Sequence, residues 1–300
     1  MPSTPQYTWP LLNARAGTEV WVKHENHSPI GAFKIRGALV YMHALAKEHP
    51  DVKTVIAATR GNYGQAVGLA AKQQRLKAII VVPFGNSREK NKAMRALGAE
   101  LIEHGNEYQA ASEFSEQLAG ERGYHRIPSF HELLVHGTGT YALEFLRAAP
   151  ELDTVYVPIG LGSSICGMLA ARTALNLKTR IIGVVAAAAP AYAISFRERK
   201  PVSRTTHTQL ADGLACSVPD PQALELILNG VERIVEVSED EIATAMLAFF
   251  QDTHNIAEGA GAAALAGLLK ENHAMRGKRM GVVLTGSNVD SDIFARVLRI

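Results

Sequence analysis

Cysteine is scarce in this chain. Only Cys166 and Cys216 occur in 300 residues, and their separation matches neither a metal-ligand nor a redox spacing. Reduced thiols in a cytoplasmic protein are the expectation. No lysine- and arginine-rich run or basic helix face stands out, and the formal net charge is +2, which argues against nucleic acid as a partner. Long apolar runs are also missing: the longest, 181–194, is interrupted by Gly183 and Pro190 and is too short to span a bilayer. The opening Met1-Pro2-Ser3-Thr4-Pro5-Gln6 is polar and prolyl, unlike a signal peptide. The eleven histidines are scattered without ligand spacing, so no metal site is expected from them.

What is present is apolar material, 47% of the chain, enough for one large domain or two moderate ones. Short β-branched runs alternate with longer amphipathic ones, the rhythm of an α/β fold with parallel-rich sheets flanked by helices. The pattern predicts strands over 19–23, 52–58, 78–82, 100–103, 154–158, 180–185, 233–237 and 280–285. Helices are expected over 32–47, 62–74, 88–97, 108–122, 140–148, 165–176, 240–254 and 260–271. Ser238-Glu239-Asp240-Glu241 spells a capping box. Residues 197–208 read as an exposed loop.

Four places carry chemistry. In Pro29-Ile30-Gly31-Ala32-Phe33-Lys34-Ile35-Arg36-Gly37-Ala38, one lysine sits among small and apolar residues as a helical pattern begins. Burial there would lower its pKa and make a neutral amine for imine chemistry or proton transfer; a lysine snorkelling from a surface helix is the alternative. Thr59-Arg60-Gly61-Asn62-Tyr63-Gly64-Gln65 leaves a strand and enters a helix, where free N–H groups suit a carboxylate; a plain turn capped by Asn62 reads equally well. Pro158-Ile159-Gly160-Leu161-Gly162-Ser163-Ser164 reads as a phosphate cradle. Ile165 stands where a dinucleotide fingerprint needs glycine, no acidic residue ends the following strand, and no P-loop lysine is present, so a smaller phosphate compound is implied. Thr285 closes a buried strand, facing a ligand or serving only as a strand end. An amine, a carboxylate loop, a phosphate grip and a strand-end hydroxyl together match the needs of pyridoxal 5′-phosphate.

The chain resembles the fold-type II pyridoxal-phosphate enzymes (tryptophan synthase β-like), and within them the serine/threonine dehydratase family that includes serine racemase. The likeness runs through Thr4-Pro5, Lys23-His24-Glu25-Asn26, Phe33-Lys34-Ile35-Arg36-Gly37-Ala38, Gly61-Asn62, Lys92 with Gly98-Ala99-Glu100, Gly137-Thr138-Gly139-Thr140, Ala211-Asp212-Gly213, Glu258 and Gly286-Ser287-Asn288-Val289-Asp290. It implies two α/β domains, a large cofactor-binding one of residues 1–52 and 132–300 and a small one of 53–131 for the substrate carboxylate. It implies that Lys34 holds the cofactor covalently and serves as the base at Cα, with Phe33 beside it. Asn62 would bond the ring oxygen, Gly160, Leu161, Gly162, Ser163 and Ser164 the phosphate, and Thr285 the ring nitrogen. Glu258 would lie near the cofactor, helix capping being its alternative, and Asp212 would order a turn. Thr59, Arg60, Gly61, Asn62 and Tyr63 would receive the substrate.

The implied activity is a dehydratase or ammonia-lyase converting a threonine- or serine-like β-hydroxy-α-amino acid to a 2-oxo acid and ammonia, in a homodimer acting on a small molecule. Larger or acidic substrates, phenylserine or hydroxyaspartate, remain open, as do β-replacement of the cysteine-synthase type and a non-catalytic amino-acid sensor. Some positions depart from the family. Val185 and Ala191 replace the acidic ligands of a divalent cation, so no metal is expected. Arg60 replaces the serine that serves racemases as second base, so racemisation should be negligible; its guanidinium meets a polar or acidic substrate group, or turns to solvent. Tyr63 replaces a common histidine and narrows the substrate pocket or packs the loop. The sequence stops soon after Thr285, so a carboxy-terminal regulatory domain with isoleucine feedback is not expected.

Overall fold

The computed structural model describes residues 1–149 and 151–300. Two compact units emerge, one of residues 1–33 and 138–300, the other of 34–137.

In the first unit, β1 (Gln6–Thr8), β2 (Glu19–His24), β7 (Thr154–Pro158), β8 (Arg180–Ala186), β9 (Arg233–Val237) and β10 (Arg279–Leu284) form one sheet; in the second, β3 (Thr54–Ala58), β4 (Lys77–Val82), β5 (Glu100–Glu103) and β6 (His125–Arg126) form another. Strand order among the described residues is β1-β2-β10-β7-β8-β9 and β5-β4-β3-β6. Among the described residues only strand β1 runs antiparallel to its neighbour, pairing Gln6 with Lys23. β10 is central, with Val282 in register with Val22 on one side and Tyr156 on the other. Every residue of β7 is buried, which is why these strands read as continuous apolar runs rather than as an alternation.

The helix Gly259–Lys270 is buried along nearly its whole circumference and built from glycine, alanine and leucine. Small side chains let it lie close against β7 and β10. The helix Glu239–Thr253 starts where the capping box placed it: Glu241 N–H donates to Ser238 Oγ at 3.1 Å, and Ser238 N–H to Glu241 Oε2 at 2.7 Å.

Several expectations are corrected. The helix expected over 140–148 begins eight residues earlier, at Glu132, and runs through Gly137 and Gly139. A side chain at Gly137 would overlap the carbonyl of Arg36, so that glycine serves close packing and not a loop. The strand expected from 52 begins at Thr54. Strand β1 and the helices Pro10–Ala16, Ala191–Glu198, Pro221–Gly230 and Ser291–Val297 were not anticipated. Of these, Pro221–Gly230 had a legible signal: Asp220 accepts from the N–H groups of Gln222 and Ala223 ahead of a proline at the first helical position. The two compact units divide the chain at 33/34 and 137/138. The helix Lys34–Glu48 packs on Asn62–Gln73 and is therefore grouped with the four-stranded unit.

No helix among the described residues is long and apolar enough to cross a membrane.

Candidate active site

The strand end of β10 organises the site in the six-stranded unit. Beyond Leu284 the chain continues through Thr285, Gly286 and Ser287, and the segment 31–33 is laid against it. Phe33 N–H donates to Thr285 O at 3.0 Å, Ala32 and Gly286 form an antiparallel bridge, and Ser287 N–H donates to Gly31 O at 2.9 Å. Lys34 follows Phe33 by one peptide bond, opens the helix Lys34–Glu48 and is half-buried. The residue preceding the candidate lysine is thus tied by backbone bonds to the residue carrying the candidate hydroxyl. Thr285 is 5% exposed, and its hydroxyl donates to Ala260 O at 3.4 Å.

Glu258, 3% exposed, stands at the N-cap position of Gly259–Lys270, yet its side chain makes no capping bond. The helix-cap alternative is therefore set aside. Its N–H donates to Gly286 O at 3.1 Å, which brings it to the same strand end.

The glycine loop follows β7. Gly160 packs so tightly that a Cβ there would lie 2.5 Å from Gly213 O, and Gly162 has φ 103°, a left-handed conformation open to glycine alone among common residues. The next residue opens the helix Ser163–Ala174, which has no side-chain cap and no acidic residue in its first turn. Backbone N–H groups and the positive end of the helix dipole converge there, the environment a phosphate requires. Asp212 lies in a short 3-10 turn, Asp212–Leu214, which presents the Gly213 carbonyl to Gly160.

Two tyrosines that sequence reading missed brace this loop. Tyr192 donates its hydroxyl to Leu161 O at 3.0 Å and accepts from Asp220 N–H at 3.1 Å; burial pushes its pKa up, so it stays protonated. Tyr141 places its hydroxyl 2.6 Å from Ser164 Oγ, and its ring meets Phe33 edge-on at 6.2 Å. Thr138 donates to Ser163 O at 2.8 Å. Neither tyrosine had a local signature, because each lies on a helix far along the chain from the loop it holds.

The second unit carries the other loop. Thr59 is buried, and its Oγ1 accepts from Gly61 N–H at 3.1 Å. Gly61, not Asn62, occupies the N-cap position of Asn62–Gln73, and no side chain caps that helix. The reading of Asn62 as a cap is thus overturned, and the first-turn N–H groups keep their anion-binding capacity. Tyr63 donates to Pro128 O at 2.7 Å, so its hydroxyl secures the loop to the chain after β6; burial pushes its pKa well up. Arg60 Nε is buried and bonds to no acceptor.

Val185 and Ala191 are both buried apolar residues, and no group of three or more histidine, cysteine or acidic side chains among the described residues is arranged to hold a metal ion.

The glycine cradle, the uncapped helix behind it and the strand-end threonine all fit pyridoxal phosphate. A family model described as pyridoxal-phosphate dependent enzyme matches residues 2–286. The chain belongs to that family. It is therefore a pyridoxal-phosphate-dependent α/β protein of the expected fold class. This pyridoxal-phosphate enzyme is 33% identical over 291 residues to a biosynthetic L-threonine dehydratase of Haemophilus influenzae, covering 96% of the chain; it spans 56% of that relative's length. It is 32% identical over 296 residues to an L-threo-3-hydroxyaspartate ammonia-lyase of Saccharomyces cerevisiae, covering 98% of the chain and 90% of the relative. Among solved structures, the processed form of threonine deaminase isoform 2 from Solanum lycopersicum superposes with a TM-score of 0.92 at 28% identity, covering 99% of this chain and 87% of that one.

Proposed function

We propose that this chain is an ammonia-lyase that converts a β-hydroxy-α-amino acid to a 2-oxo acid and ammonia. One observation carries the reading: the segment ending at Phe33, the residue before Lys34, is bonded to Thr285 and bridged to Gly286. Likeness to proteins named for threonine and hydroxyaspartate deamination supports the reaction class.

In this reading Lys34 would hold the cofactor through its Nζ, and the backbone N–H groups from Gly160 to Ser164 would take its phosphate. Phe33 and Glu258 would flank it, Asn62 would bond its ring oxygen and Thr285 its ring nitrogen. Bound pyridoxal phosphate supplies an electron sink that eases loss of the Cα proton. Lys34, with its amine free and neutral, would take that proton as the base. On the four-stranded unit, Thr59, Gly61, Asn62 and Tyr63 hold the substrate carboxylate through hydroxyl and backbone donors. The β-hydroxyl leaves as water, and the enamine released takes up water to give the 2-oxo acid and ammonia. A guanidinium is all donor and no acceptor, so Arg60 offers no second base and inversion at Cα is not part of the reading.

The protein is further proposed to be a cytoplasmic homodimer. Two free cysteines, with burial pushing both thiols up to about 12, suit a reducing compartment. Sedimentation analysis of the holoenzyme tests the dimer.

The function is tested by 2-oxo acid release from a panel of serine, threonine, 3-hydroxyaspartate and phenylserine. Lys34→Ala should lose both turnover and the absorbance band at about 410 nm expected of the lysine-bound cofactor. With sulfide present, a thiol product formed without ammonia would replace the lyase reading by β-replacement. A purified protein that shows neither band nor turnover would leave the sensor.

A further inference from the structure

The loop 59–65 carries more donors than a single amino-acid carboxylate consumes. The helix Asn62–Gln73 already offers an uncapped N-terminus with no acidic residue in its first turn, sufficient for one carboxylate. Two further groups stand in the same seven residues. Arg60 Nε is buried without an acceptor, and Arg60 makes no ion pair among the described residues. Gln65, in the first helical turn, is 3% exposed, and its Nε2 is buried without an acceptor. The alkyl chain of Lys90, itself buried, packs against Gly61.

Buried donors without acceptors are costly, and a site that keeps them has a ligand to supply the acceptors. The planar fork of a guanidinium matches a carboxylate bidentately. A threonine methyl or a serine hydrogen offers it nothing.

We propose that Arg60, assisted by Gln65, binds a second carboxylate on the substrate, so that the preferred class is a β-hydroxy dicarboxylic amino acid. This rests on the lyase reading and names its substrate. The α-carboxylate occupies the helix N-terminus. The side-chain carboxylate accepts from Arg60 and from the Gln65 amide.

The experiment compares kcat/KM of the holoenzyme for 3-hydroxyaspartate and threonine in the native chain, Arg60→Gln and Arg60→Lys. A second arm measures binding of succinate, which carries two carboxylates and cannot react, by calorimetry. The native enzyme should favour 3-hydroxyaspartate. Arg60→Gln should lower the ratio of the two kcat/KM values by about tenfold to a hundredfold, chiefly through KM, with Arg60→Lys in between. Succinate affinity should fall in the same order. A ratio that does not move, or a native preference for threonine, overturns the inference while leaving the lyase reading intact. Absence of turnover on every substrate sinks the lyase reading, and the succinate series then decides whether Arg60 binds a dicarboxylate.

Discussion

The hydroxyl of Tyr141 lies 2.6 Å from Ser164 Oγ and 3.2 Å from the Ser164 carbonyl, and all of these groups are buried. The same ring packs edge-on against Phe33, the residue before Lys34. One side chain therefore touches both the start of the helix behind the glycine loop and the segment leading to the candidate lysine. Tyr141→Phe should retain the fold at a cost of about 1–2 kcal/mol, because Ser164 loses a buried partner. Denaturant titration of the variant, together with its cofactor affinity, measures both effects.

Tyr192 braces the other side of the loop. Tyr192→Phe leaves the Leu161 carbonyl and the Asp220 N–H without their shared partner. Cofactor affinity should weaken by about tenfold, the equivalent of one good hydrogen bond. Equilibrium titration with pyridoxal phosphate gives the number; an unaltered Kd would mean that the loop holds its shape without this hydroxyl.

Lys23 is a fully buried cation. It bonds Glu144 Oε2 at 2.7 Å, Thr4 O at 2.8 Å and Gln6 Oε1 at 3.1 Å, fastening β1 and the chain before it to the rest of the unit. Glu144→Ala removes a counter-charge from that ammonium. Because Glu144 keeps 21% side-chain exposure, the cost should be about 2 kcal/mol, below the range for a wholly buried pair. Lys23→Met in the same background should recover part of the loss, which chemical denaturation resolves.

His24 is wholly buried and accepts the indole N–H of Trp9 at 3.2 Å. Burial lowers its pKa to about 4, with His27 and Lys23 adding to the shift and Asn26 opposing it. Between the unfolded value of 6.5 and about 4, the unfolded chain binds a proton that the folded chain does not, so stability falls as pH drops through that window and levels off below it. The loss should be about 3 kcal/mol. His24→Leu should flatten the pH dependence of stability between pH 6.5 and 4; an unchanged slope would assign the acid sensitivity elsewhere.

How far the chain was legible from its residues differs by element. Strands β7, β8 and β10 were legible because both faces are covered, which forces consecutive apolar residues. Short pieces such as Gln6–Thr8 and Pro10–Ala16 were not, since a few residues carry no period. The glycine loop announced itself through its glycines and serines beside a strand and a helix. Tyr141 and Tyr192, which hold that loop in shape, gave no sign; Arg60 stood out as a departure from the family, but that its Nε and the Gln65 amide are buried without acceptors did not show.

Composition and local order alone determined that this is an α/β chain with a lysine among small residues, a glycine- and serine-rich loop and a strand-end hydroxyl, because periodicity, turn chemistry and side-chain type are properties of neighbouring residues. The tertiary structure decided that Phe33 is bonded to Thr285, that Glu258 and Asn62 do not cap their helices, and which buried donors find acceptors. Those outcomes depend on residues as far apart as 33 and 285 meeting, and burial is settled by packing, which no single stretch of chain contains.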